Sequence, residues 1–200
     1  MNLFRQLFIC LTFTLISSCV QLIDATTTGP IRQDPGKRTF GNYIDDKKIK
    51  TMIAVNLRKA APGLEQAHVN VHVFNGHVLL TGEVPSEELR SLAGAIARDS
   101  HMVKQAYNEL RIQGNSTFFS RTNDNWIATK VKSQLLASDN VNSSRVKTVV
   151  ENRTVYIMGL LNEEEAEFIT EIIKNTVGVE KVVRVIEYVD NKAFADGYSN

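Results

Sequence analysis

From residue 46 onward the apolar and polar positions keep two alternating rhythms, and the whole succession occurs twice. Asp46-Lys47-Lys48-Ile49 opens a stretch in which Ile49, Ile53 and Leu57 lie four residues apart. Asp124-Asn125-Trp126-Ile127 opens another, with Ile127, Val131 and Leu135 at the same spacing. Such a stripe predicts an amphipathic helix facing a core, and the Asp ahead of it predicts an N-cap. The period then shortens to two. Val69, Val71 and Val73 alternate up to Asn75-Gly76, and His77-Val78-Leu79-Leu80-Thr81-Gly82 returns; Val146, Thr148 and Val150 lead to Asn152-Arg153, and Thr154-Val155-Tyr156-Ile157-Met158-Gly159 returns. Asn-Gly between alternating runs predicts a β-hairpin, and Asn-Arg is a weaker form of the same signal.

A second helix follows each hairpin. Ser86-Glu87-Glu88 begins one, with Leu89, Leu92, Ala93 and Ile96 on its buried side. Asn162-Glu163-Glu164-Glu165 begins the other, with Ala166, Ile169, Ile172 and Ile173. The acidic first turns complement the helix dipole. A last strand, Lys104 to Ile112 and then Glu180 to Val189, closes each unit. Units of about 70 residues are near the lower limit for independent folding, so the two are expected to pack together.

The succession from about Tyr43 to Val189 resembles the BON domain family. The likeness is closest in the run Trp126 to Leu136, in Met158-Gly159-Leu160 and in Val177-Gly178-Val179. Gly82 and Gly159, after the second strand of each unit, stand where the family regularly has a glycine and where a tight approach needs a residue without a Cβ. The glycine expected before the last strand is Gly178 in the second unit; the first has Ser100-His101-Met102 there. The resemblance implies an α+β fold of two tandem domains, residues 43–112 and 123–190, joined by a linker at 113–122 and followed by a tail at 191–200. Each domain would run helix-strand-strand-helix-strand, with its helices packed on one face of a small mixed sheet.

The beginning of the chain has a different pattern. One Arg, Arg5, precedes an apolar run from Leu7 to Ile16, and Ser17-Ser18-Cys19 follows. The run is too short to span a bilayer, which needs ~20 apolar residues, and has the form of a secretory signal peptide over residues 1–18. Leu15-Ile16-Ser17-Ser18-Cys19 resembles the lipobox of bacterial lipoproteins, in which the cysteine is lipidated after cleavage. Cys10, the other cysteine, lies inside the leader, so the mature chain has no disulfide partner for Cys19, and lipidation accounts for it. Val20 stands where an Asp would signal retention in the inner membrane, so the resemblance implies the outer membrane, facing the periplasm. Residues 19–42 are polar and punctuated by Gly29-Pro30 and Pro35-Gly36, the composition of a tether.

The formal net charge is +1, which together with export argues against a nucleic-acid partner. No Ser-His-Asp context, metalloprotease His pair or phosphate-cradling glycine loop is present, so neither an enzyme nor a cofactor is expected. His68 and His72 share one face of a strand, but the expectation is exposed strand residues and no metal.

The informative position comes from laying one unit on the other. With Ile49 opposite Ile127, Lys48 falls opposite Trp126 and Arg58 opposite Leu136. The first unit thus carries charge where the second carries the chain's single Trp and a Leu. At roughly 100° per residue both lie about 140° from Val131, on the outward face, with Thr129, Ser133 and Ala137 between them and Lys130 nearby. Trp, Leu, small polar residues and Lys make the composition of a helix lying on a bilayer. The resemblance implies that Trp126, Lys130, Lys132, Ser133 and Leu136 bind anionic phospholipid such as phosphatidylglycerol. It further implies a role in outer-membrane integrity, with enrichment at the division site. The competing reading makes Trp126 a packing residue against the first unit or Phe118 and Phe119. A second alternative makes it a hot spot of a scaffold docking on outer-membrane assembly or cell-wall machinery.

Overall fold

The computed structural model describes residues 38–114, 118–138 and 141–190; the leader, Cys19, most of the expected tether and the tail lie outside the described residues. The first copy runs α1 (Phe40–Ala60), α2 (Pro62–Gln66), β1 (His68–Phe74), β2 (His77–Val84), α3 (Glu87–Arg98), β3 (Gln105–Asn108) and β4 (Arg111–Ile112). The second runs α4 (Phe118–Leu136), β5 (Val146–Glu151), β6 (Thr154–Leu161), α5 (Glu163–Lys174) and β7 (Lys181–Tyr188). In each, a hairpin pairs antiparallel and the last strand returns parallel to the hairpin's second strand, giving small mixed sheets with β2 and β6 in the middle. The expected α+β order is therefore present, with the first copy's last strand broken into β3 and β4.

Both first helices start earlier than the apolar stripe suggests. Thr39 caps α1, its hydroxyl accepting from the Asn42 N–H at 3.1 Å, and α4 begins at Phe118, within the stretch read as a linker. Asp46 and Asp124 are therefore not N-caps but lie inside helices, where each turns its carboxylate onto the hairpin of its own copy. Asp46 accepts from the Asn75 and Gly76 N–H groups at 2.9 Å each; Asp124 accepts from those of Asn152 and Arg153 at 2.8 and 2.9 Å. Both carboxylates are buried. They fix turns whose two central residues all have positive φ, as a two-residue hairpin matched to strand twist requires: Asn75 51°, Gly76 79°, Asn152 48° and Arg153 58°.

The predicted stripes pack as expected on one face of each sheet. Ile49, Ile53 and Leu57 join Val71, Val73, Val78, Leu80 and Ala93 in one core, and Ile127, Val131 and Leu135 join Val155, Ile157, Ile169 and Ile173 in another. Leu92, expected on the buried side of α3, is 38% exposed because the helix turns Ala93 and Ala97 inward instead. The other face of each sheet is covered by the opposite sheet. Phe74 and Leu79 from the first copy meet Val149, Tyr156, Met158, Leu160 and Val185 from the second. The order is helices, sheet, sheet, helices, which explains why every residue of β2 and of β6 is buried.

Polar residues border this middle layer. The Asn75 amide donates to Glu187 at 2.7 Å and the Asn152 amide to Glu83 at 2.9 Å, each hairpin reaching a carboxylate of the other copy. His77 and Lys104 also meet Glu187, at 3.1 and 3.0 Å, and Arg111 donates to Thr154 at 3.1 Å. His68 and His72, expected to be exposed, are half-buried instead, because their face of β1 is turned to the second copy. His68 Nδ1 lies 2.9 Å from Glu83 and His72 Nε2 3.2 Å from Thr81. Burial first, then Lys147 and Lys50, hold His72 down at about 3.

Candidate lipid-facing surface

The surface is built on α4. Its inner stripe, Ile127, Val131 and Leu135, anchors the helix to β5, β6 and α5, so the outward positions are held by a packed base. On the outside, Trp126 is 52% and Leu136 59% exposed. At about 100° per residue they lie roughly 80° apart, with Thr129 and Ser133 between them. Lys132 borders this arc beyond Leu136, and Lys130 borders it beyond Trp126. The order around the outside is thus lysine, leucine, small polar residues, tryptophan, lysine. Lys132 and Ser133 are exposed and Lys130 is half-buried. The Lys130 Nζ stands 3.2 Å from the centre of the Trp126 ring, a cation–π contact that holds the indole in place. Thr129 donates its hydroxyl to the Asn125 carbonyl at 2.9 Å.

Trp126 is about half covered and not buried, and the side chains of Phe118 and Phe119 lie outside the described residues. What touches the Trp126–Ile127 end of the helix is the turn before β7. Gly178, at φ 101°, lies so close that a Cβ there would sit 3.0 Å from Ile127 and 3.9 Å from the Trp126 ring. Val177, the residue before Gly178 in this turn, is 72% exposed. Sequence reasoning missed Val177: it took Val177-Gly178 only as a mark of resemblance, although an apolar residue next to a tight glycine was the available signal.

Lys132 and Leu136 contribute to a second feature. A groove of about 300 Å³ runs between α4 and β5, floored by Leu135, Val141 and Val146 and edged by Lys132, Leu136 and Lys147. Lys147 was not among the predicted residues. It donates to the Val73 carbonyl at 3.3 Å across the two copies, and burial, with Lys50 and Arg38 adding repulsion, lowers its amine to about 8. The five predicted residues therefore share one outward face, with Trp126 and Lys130 at one margin, Leu136 and Lys132 at the other and Ser133 between them.

At the positions matching Trp126 and Leu136 the first copy carries charge, and its exposed Phe40, Tyr43 and Ile44 lie instead in the first turns of α1. Its Lys48 is exposed and pairs with Asp45 at 3.2 Å, and its Arg58 donates to the Ala54 carbonyl. Among the described residues no helix is long and apolar enough to cross a membrane. His68, Glu83 and Glu151 bring potential metal ligands within 4.8 Å of one another, whereas His68 and His72 do not combine into one site.

The BON domain model matches residues 45–114 and 123–190. Over 189 residues the chain is 30% identical to the outer membrane lipoprotein DolP of Haemophilus influenzae, covering 93% of this chain and 97% of that one. It is 36% identical over 152 residues to the 21 kDa hemolysin of Actinobacillus pleuropneumoniae, covering 76% and 78%. Among solved structures, the C-terminal domain of CdsD from the type III secretion system of Chlamydia trachomatis aligns at 13% identity and a TM-score of 0.27, over 72% of this chain and 67% of that one.

Proposed function

The chain belongs to the BON domain family, of which it carries two copies, and on that footing we propose that it is an outer-membrane lipoprotein whose second copy binds anionic phospholipid. Cys19 anchors it by lipid on the periplasmic face; that the DolP relative is named an outer membrane lipoprotein supports such an anchor. Trp126 and Leu136 enter the headgroup region of a phosphatidylglycerol-containing leaflet, Lys130 and Lys132 meet phosphates at its two margins, and Ser133 faces headgroups between them. The protein maintains outer-membrane integrity and is enriched at the division site, where curvature and lipid composition differ.

The observation that carries this reading is the outward face of α4, with an exposed Trp and Leu between two lysines on a helix whose counterpart presents charge. Magnitudes support a division of labour. Burying the exposed halves of Trp126 and Leu136 contributes about 1–1.5 kcal/mol each. Each lysine near an anionic surface adds ~1 kcal/mol. A sum of about 4 kcal/mol corresponds to millimolar affinity, too weak for a free protein. A chain already tethered to the membrane works at effective concentrations of that order. The anchor retains the protein, and the α4 face sets its orientation.

The chain's single tryptophan makes the test direct. The mature protein with Cys19 replaced is titrated with vesicles of zwitterionic lipid, with and without phosphatidylglycerol. A blue shift of Trp126 fluorescence on the anionic vesicles alone, abolished by Lys130→Glu, is expected. Emission unmoved by either vesicle would reject lipid binding and leave the scaffold reading, in which the same face docks on assembly or cell-wall machinery.

A further inference from the structure

The two copies differ in how the first helix is joined to the first strand. In the first copy the connection folds as α2, whose Leu64 is 2% exposed and belongs to the core. In the second, the described residues between α4 and β5 form no helix. Val141, which precedes its hairpin turn by the same distance as Leu64 precedes the other, is only half-buried. It lines the groove of about 300 Å³ between α4 and β5. Because β5 is the edge strand of its sheet, no neighbouring strand closes the groove along that side.

The groove joins an apolar floor, Leu135, Val141 and Val146, to two cations, Lys132 and Lys147. At the matching positions of the first copy stand Ala54 and Asn70, so both charges belong to the second copy alone. Lys132 is exposed and, among the described residues, meets no carboxylate. Lys147 gives one of its three N–H donors to the Val73 carbonyl at 3.3 Å, which leaves two. Burial, then Lys50 and Arg38, keep its amine down at about 8. Asp46, which pulls the other way, is already held by Arg38 and by the Asn75 and Gly76 N–H groups. An anion beside Lys147 relieves that crowding and takes up its remaining donors.

Lys132 and Leu136 belong at once to this groove and to the outward face of α4, so the two features are continuous. Resting on the lipid-facing reading of α4, we propose that the groove takes a single anionic phospholipid from the leaflet, with its phosphate held by Lys132 and Lys147 and the upper part of one acyl chain lying along Leu135, Val141 and Val146. A volume of about 300 Å³ is at the low end for small-molecule sites and equals roughly ten waters at about 30 Å³ each. That is room for a segment of one chain and not for two. The lipid is thereby raised partway out of the bilayer, and its headgroup meets Lys147, which a flat contact of α4 does not reach.

The test reconstitutes the lipidated protein in zwitterionic vesicles containing a small fraction of phosphatidylglycerol with a photoactivatable diazirine on the upper carbons of one acyl chain. Crosslinked residues are located by mass spectrometry. Crosslinks at Val141 and Val146 are expected in addition to those at Trp126 and Leu136. The groove crosslinks should fall about fivefold in Lys147→Gln, the worth of one lysine beside an anionic lipid. They should fall as clearly when a zwitterionic lipid carries the diazirine. Ser143→Phe puts a ring at the exposed edge of the groove and should remove them, while crosslinks at Trp126 and Leu136 persist and show that the variant is folded. Crosslinks confined to Trp126 and Leu136 would overturn the groove and leave the lipid-facing reading standing. Groove crosslinks that are equal from the zwitterionic lipid, or that survive Ser143→Phe, would overturn it too. No crosslink at Trp126 or Leu136 would reject the reading of α4 itself, and with it the partly raised lipid.

Discussion

Asp124→Ala removes one carboxylate and should loosen a turn that lies 28 residues further along the chain. The Asp124 side chain accepts from the Asn152 and Arg153 N–H groups at 2.8 and 2.9 Å. Hydrogen bonds to a charged group are worth about 1.5–3 kcal/mol each. Arg153 is exposed, so its freed N–H can turn to water. The buried carboxylate also no longer has to be desolvated, and both effects favour the lower end of that range. The expected loss is about 3 kcal/mol, which for two copies unfolding together, about 150 residues, lowers the melting temperature by about 6–12 °C. Asp124→Asn keeps one acceptor oxygen and should lose about half as much. Asp46→Ala should cost at least as much as Asp124→Ala, since Asp46 also pairs with Arg38 at 2.7 Å. The assay is thermal and urea unfolding, combined with amide exchange read at Asn152 and Arg153. If Asp124→Ala melts within about 2 °C of the parent and leaves both amides protected, the carboxylate does not hold the turn and the reasoning fails.

The same turn predicts a gain. Arg153 sits at φ 58°, where a residue with a Cβ pays about 1–2 kcal/mol. Arg153→Gly should therefore stabilise by about 0.5–1 kcal/mol in urea titration, despite losing an exposed pair with Glu180. Gly82→Ala should do the reverse. At φ 113° its Cβ would fall 1.9 Å from the His68 carbonyl oxygen, pushing β1 and β2 apart at a cost on the order of 3 kcal/mol, read from the urea midpoint. The half-buried His72 predicts acid sensitivity. Its folded value of about 3 lies below the ordinary 6.5, so between those limits the unfolded chain binds a proton that the folded chain does not. Stability should fall as pH drops from 6.5 towards 3, by at most about 1.4 kcal/mol per pH unit, and this contribution should be flat above 6.5. His72→Gln should reduce the slope in urea titrations between pH 4 and 7; an unchanged slope would show that other groups cause it.

The repeat, the hairpins and the capped second helices could be read in the sequence because their signals are local. Ser86 and Asn162, read as the starts of the second helices, cap α3 and α5, and Asn162 completes a capping box with Glu165. Asp46 and Asp124 were misread because an aspartate that caps a helix and one that reaches a distant turn look alike along the chain. The covered second face of each sheet was hidden for a related reason. His68, Asn70, His72, His77, Thr81 and Glu83 have the alternating polarity of a solvated face, yet that face is turned to the other copy, where its polar groups find partners. On α4, comparison of the two copies identified Trp126 and Leu136 as outward. Val177 and Lys147 come from elements distant in sequence, and no period along α4 reaches them.

The exchange of contacts across the middle layer has a consequence for how the molecule is organised. Asn75 reaches a carboxylate of the second copy, and Asn152 reaches one of the first. His77 meets Glu187, while Thr154, its counterpart, meets Arg111. This is the reciprocal pattern of a twofold homodimer interface, carried on one chain. Two identical subunits would display every outer residue twice, on opposite sides, and a flat surface can engage one side at a time. A fused pair escapes that constraint. Lys48 and Arg58 stand on one outer layer where Trp126 and Leu136 stand on the other, so matching positions differ in a way that no symmetric dimer allows.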